Sequence, residues 1–288
     1  MADSAHPSQG VLYVVATPIG NLEDITYRAV RILREAGLIA CEDTRHTRKL
    51  LDHYSIEGKL VSYHEHNELE RAEELVGKLR EGVTIAQVSD AGMPGISDPG
   101  YRLIRLAIEQ GISVVPVPGP SAVVAALAAS GLPTDAFEFR GFLPAKSGQR
   151  RTELEKTRAV EHTVVFYEAP HRIHESLQDI VAVLGSARPV VIARELTKVH
   201  EEFLRGTAGE LAAGIQDREV KGEITILIGK ASAGVEPGDA VDLGTRLQQI
   251  MREQKVDEKA ALKLLAKERR VSKSEVYREL QRSGKGKR

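Results

Sequence analysis

Short apolar runs alternate with stretches of helical spacing from residue 11 to about residue 130. Runs of four to six apolar residues are typical of buried strands, whereas apolar residues three and four positions apart are typical of helices. The predicted strands cover residues 11–16, 38–41, 59–63, 83–88 and 114–117, and the predicted helices cover residues 25–36, 44–53, 67–80, 101–110 and 120–129. This alternation predicts a largely parallel sheet covered by helices.

Local signals place the ends of two of these helices. Asn67 is followed three residues later by Glu70, which resembles a capping box at a helix start. Pro120 is predicted to be the first residue of the fifth helix, and Gly131 is predicted to end it.

Beyond Gly131 the predicted strands outnumber the helices. The strands cover residues 137–142, 163–167, 190–193, 203–206 and 223–228, and the helices cover residues 148–159, 171–184 and 207–213. The sequence therefore predicts an N-terminal α/β domain at 11–120, a mixed α+β domain at 121–232, and a disordered N-terminus at 1–10. Pro237 and Gly238 indicate a linker after the second domain.

The C-terminal segment predicts a small helical domain at 243–282 and a disordered end at 283–288. Its first helix carries Leu243, Leu247, Ile250 and Met251 on one face, and the second begins near Asp257. Ser272 and Glu275 predict a capping box for the third. Short helices of this kind fit either a helix-turn-helix or a packing bundle.

The net charge of −1 hides an asymmetry along the chain. Residues 243–288 hold 14 Lys and Arg against 6 Asp and Glu, whereas the preceding 242 residues hold 26 against 35. A basic tail on an acidic body indicates either a polyanionic partner or a solubilising helical appendage.

The composition also limits the classes of protein. Cys41 is the one cysteine, which excludes an intrachain disulfide, and its apolar neighbours favour a buried structural thiol. Aromatic residues make up 4% of the chain and Trp is absent, which disfavours a stacking platform for single-stranded nucleic acid. The first ten residues lack the apolar core of a signal peptide, and no apolar run approaches the length of a membrane span. We expect a cytoplasmic protein with no membrane partner.

Three loops rich in glycine and proline, at residues 16–21, 88–100 and 117–122, each follow a predicted strand. Because ligands of open α/β sheets bind beyond the carboxyl ends of strands, these loops predict one small-molecule site. The loops hold no lysine, and their charges are Asp90 and Asp98. A cationic or zwitterionic ligand such as S-adenosylmethionine fits that description, although either aspartate could instead cap a helix or brace its loop.

Several common motifs are absent from the sequence. It holds no G-x-x-x-x-G-K-[ST] phosphate loop, no G-x-G-x-x-G after the first strand, and no H-E-x-x-H. The pair His64 and His66 could bind a metal, but alternating histidines at a strand end are more typical of polar surface. No metal site is predicted.

Charged segments follow four of the strands, at residues 42–45, 63–67, 167–172 and 194–198. Polar side chains directly after strands are where α/β enzymes place functional groups, so these segments are the substrate candidates. The alternative is that Arg45, Arg172 and Arg194 form ion pairs with neighbouring glutamates.

Seven motifs together resemble the tetrapyrrole-methylase superfamily, specifically its 16S ribosomal RNA methyltransferases. They are YVVATPIGNLEDIT at 13–26, EDTR at 42–45, SDAG at 89–92, ISDPG at 96–100, PGPSA at 118–122, FYEAPHR at 166–172 and GEIT at 222–225. The match covers about residues 11–230 and continues weakly into the tail. The resemblance implies a two-domain, homodimeric, S-adenosylmethionine-dependent enzyme with its cofactor in the cleft between the domains. It also implies 2′-O-methylation of a cytidine, at position 1402 of 16S rRNA, in the assembled small ribosomal subunit.

Carried onto this sequence, the resemblance implies cofactor contacts at Pro18, Gly20, Asp90, Ala91, Gly92, Met93, Pro94, Ser97, Ser121, Ala122, Tyr167, Glu223, Ile224 and Thr225. The family usually has Thr and Leu where this chain has Met93 and Gly95, so we expect backbone contacts there.

Methyl transfer to a ribose needs a group that accepts the hydroxyl proton. The candidates are Glu42, Asp43, His64 and Glu168, and the candidate RNA contacts are Arg45, Lys146, His171, Arg172 and Arg194. The alternatives are a methyltransferase of the same fold acting on a corrinoid precursor or a protein, and a non-catalytic RNA-binding factor of ribosome assembly. A nucleotide-binding hydrolase is disfavoured because the phosphate loop is missing.

Overall fold

The computed structural model describes residues 9–230, 247–248, 250–252, 256–269 and 276. The chain divides into two compact units, residues 1–231 and 232–288. The predicted disordered segments at 1–8 and 283–288, the linker at 237–238 and the capping box at 272–275 lie outside the described residues. Gly10, at the end of the predicted disordered N-terminus, is buried, and its amide donates to the Leu79 carbonyl over 2.8 Å.

The first sheet of the larger unit is entirely parallel, which confirms the prediction for this half of the chain. Its strands are β1 (Val11–Val15), β2 (Leu38–Cys41), β3 (Leu60–Ser62), β4 (Ile85–Gln87) and β5 (Ser113–Val117). Their spatial order is β3-β2-β4-β1-β5. Because β1 lies between β4 and β5, the turns that follow these three strands emerge side by side at one edge of the sheet.

Helices cover both faces of this sheet. They are α1 (Tyr27–Glu35), α2 (Thr44–His53), α3 (Glu68–Arg80) and α4 (Tyr101–Glu109). Leu79 and Leu103 of α3 and α4 pack with Ile85 on one face, whereas Leu33 and Leu51 of α1 and α2 pack on the other. Successive strand residues point to opposite faces, so both faces of each strand are apolar. Cys41 is buried and free, as predicted.

One predicted capping box and one predicted helix start need correction. Asn67 is the N-cap of α3, as predicted. The Asn67 side chain makes no cap hydrogen bond to α3, because its Oδ1 accepts from the His64 amide over 2.9 Å. Pro120 is not the first residue of the fifth helix, α5 (Ala122–Ser130). Ser121 is its N-cap and accepts from the Val124 amide, so Pro120 lies before the cap. Gly131 ends α5 in the left-handed conformation, with φ of +80°, as predicted.

The second sheet is mixed, which confirms the predicted change of architecture. Its strands are β6 (Phe137–Phe142), β7 (Thr163–Glu168), β8 (Pro189–Arg194), β9 (Glu202–Thr207) and β10 (Ile224–Ile228), in the order β6-β7-β10-β8-β9. β6 and β7 are parallel, and the other pairs are antiparallel. Helices α6 (Ser147–Glu155), α7 (Ile173–Leu184) and α8 (Ala208–Gly214) contribute to the core on one face of this sheet.

Helix α5 packs on the other face of the second sheet. Its Val123 and Leu127 contact the cluster that contains Leu227 of β10. Arg205 of β9 donates to the carbonyls of Ala129 and Ser130 at the end of the helix. These bonds satisfy carbonyls that the helix leaves without partners, so α5 is fixed to the second sheet.

The smaller unit contains the helix α9 (Glu258–Arg269). Asp257 Oδ1 accepts from the Ala260 amide over 2.8 Å, which confirms the predicted start of this helix. Leu262 and Leu265 pack with Leu247 and Ile250 in an apolar cluster. The choice between a helix-turn-helix and a bundle stays open. Within the described ranges no helix is long and apolar enough to cross a membrane.

A buried ion pair joins α6 to α7. The Arg150 side chain is 0% exposed, and its guanidinium lies 2.7 Å from the Asp179 carboxylate, which is 4% exposed. Asp179 also accepts from Ser147 and Arg151, and Arg150 donates to the carbonyls of Pro144 and Ala145. Removing one partner of such a pair leaves a buried charge without compensation.

We therefore expect Asp179→Ala to lower the free energy of unfolding by about 3–5 kcal/mol in urea denaturation. The control is Glu35→Ala, which breaks the Arg31–Glu35 pair. Both of those side chains are more than half exposed, so the loss should be about 0.5 kcal/mol. Equal losses in the two variants would contradict a structural role for the buried pair.

Candidate functional site

The turns after β1 and β4 are paired through their backbones. The Thr17 amide donates to the Gly92 carbonyl over 2.9 Å, and the Gly92 amide donates back over 3.1 Å. Thr17 Oγ1 donates to the Ser89 carbonyl over 3.0 Å. Gly92 has φ of +81°, a conformation that residues with a Cβ rarely adopt. These contacts hold two of the three predicted loops in one place.

The loop after β5 completes this edge of the sheet. A Cβ on Gly119 would lie 2.9 Å from the Ala16 Cβ, so glycine allows the loops after β1 and β5 to touch. Ser121 and Ala122 at the start of α5 then lie beside residues 91–98 on the wall of a cavity. The three loops meet there, as the sequence predicted.

The cavity has a volume of about 380 Å³, within the range of small-molecule sites. Its walls come from both sheets of the larger unit. The lining residues are Ile19, Ala91, Gly92, Met93, Ile96, Ser97, Asp98, Ser121, Ala122, Phe142, Tyr167, Glu168, Ala169, Pro170, Ala193, Leu196, Gly222, Glu223, Ile224 and Thr225. The wall is therefore mainly apolar and aromatic, with three carboxylates and several backbone groups.

Most of the residues predicted to contact a cofactor lie on this wall. They are Ala91, Gly92, Met93, Ser97, Ser121, Ala122, Tyr167, Glu223, Ile224 and Thr225, and the candidate base Glu168 joins them. Pro18, Gly20, Asp90 and Pro94 do not line the cavity. The prediction missed Ile19, Ile96, Phe142, Ala169, Pro170, Ala193, Leu196 and Gly222, and it noted Asp98 only as a loop charge.

Gly20 lies instead where the first loop meets the second domain. A Cβ on Gly20 would lie 2.4 Å from the Lys198 side chain, and the neighbouring Asn21 amide donates to Thr197 Oγ1 over 3.1 Å. Thr197 and Glu195 have φ of +65° and +52°. This turn is therefore strained, and it places Leu196 on the cavity wall between them.

Two of the three cavity carboxylates have cationic partners. Glu168 is buried, lies 2.6 Å from Arg172, and accepts from the Ala169 amide and the Ser176 hydroxyl. Glu223 lies 3.0 Å from Lys198. Asp98 has no ion pair with any residue in the described part of the chain.

Asp98 belongs to a group of acidic side chains with Glu42 and Asp90. Burial and the charges of Glu42 and Asp90 together raise the pKa of Asp98 to about 6, against the lowering effect of a hydrogen bond from Ser89. Burial and the Asp90 charge also raise the pKa of Glu42. Burial, Asp98 and Glu223 raise the pKa of Tyr167 to about 12, so its phenol stays neutral. This wall favours a positively charged ligand, because excess negative charge lies beside an apolar cavity.

The other candidate proton acceptors differ in their surroundings. Asp43 caps α2 by accepting from the Arg45 amide over 2.8 Å, and this bond lowers its pKa. The His64 ring lies 3.4 Å from the Asn67 amide nitrogen and edge-on to His66. Asp90 accepts from the Asp43 amide over 3.3 Å, which connects the turn after β2 to the turn after β4.

The five predicted RNA contacts are spread over both domains. Lys146 and His171 are exposed, and Arg45 is exposed beside Asp43 at 3.4 Å. Arg172 pairs with Glu168, and Arg194 lies 3.0 Å from Glu202. The ion-pair alternative therefore applies to Arg172 and Arg194. No cluster of three metal-ligating side chains occurs among residues that the structure describes.

Comparisons with known proteins agree with this architecture. The model of the tetrapyrrole (corrin/porphyrin) methylases matches residues 11–212. The crystal structure of uroporphyrin-III C-methyltransferase from Thermus thermophilus, complexed with S-adenyl homocysteine, has a TM-score of 0.55 at 21% identity and covers 76% of this chain and 97% of that one. The crystal structure of diphthine synthase has a TM-score of 0.58 at 13% identity and covers 77% and 91%. The chain thus has the fold of the tetrapyrrole methylases.

Curated relatives are much closer in sequence. Ribosomal RNA small subunit methyltransferase I of Halalkalibacterium halodurans is 49% identical over 283 residues, which is 93% of this chain and 94% of that protein. Its counterpart from Escherichia coli O157:H7 is 52% identical over 242 residues, covering 83% and 85%. The chain belongs to the tetrapyrrole methylase family and, within it, to the group of these ribosomal RNA methyltransferases.

The raised pKa of Asp98 predicts a stability change that can be measured without ligand. The carboxyl binds its proton more tightly in the folded protein than in the unfolded chain, so this group lowers stability as pH rises from about 4 to about 6. We expect Asp98→Asn to raise the free energy of unfolding by about 1 kcal/mol above pH 6, after allowance for partial solvent screening, and to change it little at pH 4.

Urea denaturation at pH 4 and pH 8 measures this difference. The control is Asp135→Asn, an exposed position outside the cavity, where the change should stay below about 0.5 kcal/mol at both pH values. A loss of stability in Asp98→Asn at pH 8 would show that the carboxylate is compensated in the fold.

Proposed function

We propose that this chain transfers a methyl group from S-adenosylmethionine to ribosomal RNA of the small ribosomal subunit. The observation that carries the proposal is the cavity between the two sheets, where the acidic side chain of Asp98 faces an apolar space of cofactor size. Relatives of about half-identical sequence bear the name of small-subunit rRNA methyltransferases, which supports the choice of acceptor.

The residues of the cavity fit the donor. Its apolar and aromatic side chains, among them Ile19, Leu196 and Tyr167, can bury a nucleoside, while polar side chains on the wall can hydrogen bond to its polar atoms. Ser97 and Ser121 carry hydroxyls for this purpose. S-Adenosylmethionine supplies an activated methyl group on a positively charged sulfur. A wall with excess negative charge suits that sulfur. We therefore retain as proposed contacts the ten predicted cofactor residues that line the cavity.

Among the four candidate bases we propose Glu42, which lies near the cavity wall through its interaction with the acidic group rather than on the wall itself. It is half-buried at the end of β2 beside the acidic group, and its raised pKa brings it closer to the working pH of a general base. Asp43 is held as a helix cap, and both oxygens of Glu168 already accept hydrogen bonds. Glu168 instead orients Arg172 and the turn that follows β7. His64 stays a second candidate beside Glu42.

The proposed acceptor is the ribose 2′-hydroxyl of the cytidine at position 1402 of 16S rRNA, within the assembled subunit. In this proposal the enzyme aligns the hydroxyl with the methyl group and accepts its proton. The exposed side chains of Arg45, Lys146 and His171 would contact RNA phosphates, whereas Arg172 and Arg194 would act mainly through their ion pairs. We propose a homodimer as the acting form.

The function is tested by transfer of tritium from labelled S-adenosylmethionine to purified small subunits that lack the modification, followed by mapping of the methylated nucleoside. We expect Glu42→Gln to lower kcat by about 100-fold or more, while the affinity for S-adenosylmethionine changes by no more than a few-fold. Asp43→Asn is the control and should retain most of the activity.

The outcomes separate the alternatives. If the label appears in a corrinoid precursor or in a ribosomal protein rather than in rRNA, that molecule is the methyl acceptor and the proposed acceptor is wrong. Donor binding without transfer to any of these acceptors would favour the non-catalytic assembly factor. Full activity in Glu42→Gln would exclude Glu42 as the base and direct attention to His64.

The basic C-terminal unit is proposed to contribute attraction to RNA. Lys259 and Lys263 are exposed and lie one turn apart on α9. Each phosphate contact contributes about 0.7–0.9 to the slope of log affinity against log salt concentration. We expect Lys259→Gln with Lys263→Gln to make that slope shallower by about 1.5 in subunit binding, and Lys259→Arg with Lys263→Arg to preserve it. An unchanged slope, also after deletion of residues 243–288, would leave α9 as a packing element.

A further inference from the structure

Asp98 differs from the other acidic side chains on the cavity wall. Glu168 pairs with Arg172 at 2.6 Å, and Glu223 contacts Lys198 at 3.0 Å, a cation that it shares with Glu195 at 2.9 Å. Asp98 has no such cation in the described portion of the chain, and its nearest charged neighbours, Glu42 and Asp90, are also acidic. The wall therefore carries excess negative charge at one position.

The fold holds Asp98 in that position. The Gln87 side chain is buried, and its Nε2 donates to the Pro99 carbonyl over 3.4 Å. A Cβ on Gly100 would lie 2.2 Å from the same Nε2, so glycine is required where the loop passes over Gln87. Ser97 has φ of +60°, which turns the chain just before Asp98. Asp98 thus belongs to a constrained loop rather than to a mobile tip.

Charged groups from several elements surround this carboxylate. Glu42 follows β2, Asp90 follows β4, His64 follows β3 and influences Glu42, and Tyr167 faces Asp98 from β7. The phenol of Tyr167 is neutral at physiological pH. No surrounding group with a fixed positive charge compensates Asp98 within the ranges that the structure describes.

The two forms of the cofactor differ in charge at one atom. S-Adenosylmethionine carries a positive sulfur, whereas S-adenosylhomocysteine, which remains after transfer, carries a neutral one. Their adenosine and amino-acid groups are identical, so those groups cannot distinguish donor from product. A fixed negative charge near the sulfur distinguishes them, because it attracts the first and leaves the second unaffected.

We propose that Asp98 is the residue by which this site distinguishes the charged methyl donor from its neutral demethylated product. The proposal rests on the function proposed above, and it assigns to Asp98 specificity for donor over product rather than a role in proton transfer. After transfer the positive charge on sulfur is gone, and Asp98 no longer favours the bound molecule. S-Adenosylhomocysteine is therefore replaced more readily by S-adenosylmethionine.

Calorimetry of the full chain with S-adenosylmethionine and with S-adenosylhomocysteine tests the proposal. We expect Asp98→Asn to weaken binding of S-adenosylmethionine by about tenfold and to change binding of S-adenosylhomocysteine by less than about twofold. Asp98→Glu keeps the charge and should restore most of the preference. Glu223→Gln is the matched control, because Glu223 lies on the same wall but contacts a lysine, Lys198, and it should change the ratio of the two affinities by less than about twofold.

The pH dependence gives a second readout. In the wild-type chain the preference for S-adenosylmethionine relative to S-adenosylhomocysteine should fall as pH decreases from 8 to 5, because the carboxyl of Asp98 gains its proton in that range. In Asp98→Asn the ratio should not vary with pH. Thermal denaturation of each variant confirms that it is folded.

The outcomes are distinguishable from failure of the proposed function. A wild-type chain that binds neither molecule would overturn the function itself. A wild-type chain that binds both, combined with equal losses for both in Asp98→Asn, would overturn the discriminating role and leave the function intact. A loss confined to S-adenosylmethionine that Asp98→Glu repairs would establish it.

Discussion

The backbone pairing of Thr17 with Gly92 is the constraint on which the candidate site depends. It joins the turns after two neighbouring parallel strands, and it fixes residues 89–92 at the edge of the first sheet. Because β1 and β4 are adjacent only through a crossover connection, this contact unites segments about 75 residues apart in the chain. This pairing keeps the two turns together on the cavity wall. The loop that carries Asp98 and ends at Gly100 continues from the paired residue Gly92.

Asp98, an electrostatically unfavourable carboxylate, lies at the proposed cofactor site. A carboxylate with acidic neighbours and no cation lowers the stability of the empty protein, so its presence is not explained by folding. The ion pair of buried Glu168 with Arg172, on the same wall, shows that the fold is able to neutralise a carboxylate there. The exception at Asp98 therefore indicates a ligand that brings its own positive charge.

The sequence predicts the fold well because its local and long-range signals agree. Helix α2 begins and ends at the predicted residues, since Asp43 caps it and its apolar spacing is regular. The start of α3 at Asn67 is confirmed, but its predicted capping box is absent because the Asn67 side chain bonds to the preceding loop. The prediction failed at Pro120, which lies before the cap at Ser121. Both errors concern side-chain partners that sequence spacing does not specify.

The candidate site was predicted less completely than the fold. Loops rich in glycine and proline predicted the part of the wall that comes from the first sheet. Leu196 and Gly222 fall in the segments at 194–198 and 222–225 that the sequence singled out, but neither residue was assigned to the cofactor site. Ala193 lies within β8 and has no such signal. Leu196 reaches the cavity through a turn in which Glu195 and Thr197 adopt left-handed backbone conformations without being glycine. Tertiary contacts impose those conformations, so no local pattern could reveal them. The sequence left open whether Arg172 and Arg194 form ion pairs or bind RNA, and the structure shows the ion pairs.

The short passage between the sheets has a mechanical consequence. The chain leaves β5 at Val117 and enters α5, which Arg205 fastens to the second sheet, after only Pro118, Gly119, Pro120 and Ser121. Two of these four residues have a ring that locks φ, and Gly119 lies against Ala16 with no room for a side chain. Few backbone torsion angles in residues 118–121 are therefore free to act as a hinge between the two sheets. This short connection favours a preformed cleft, in which the two sheets already have the separation that a bound ligand requires.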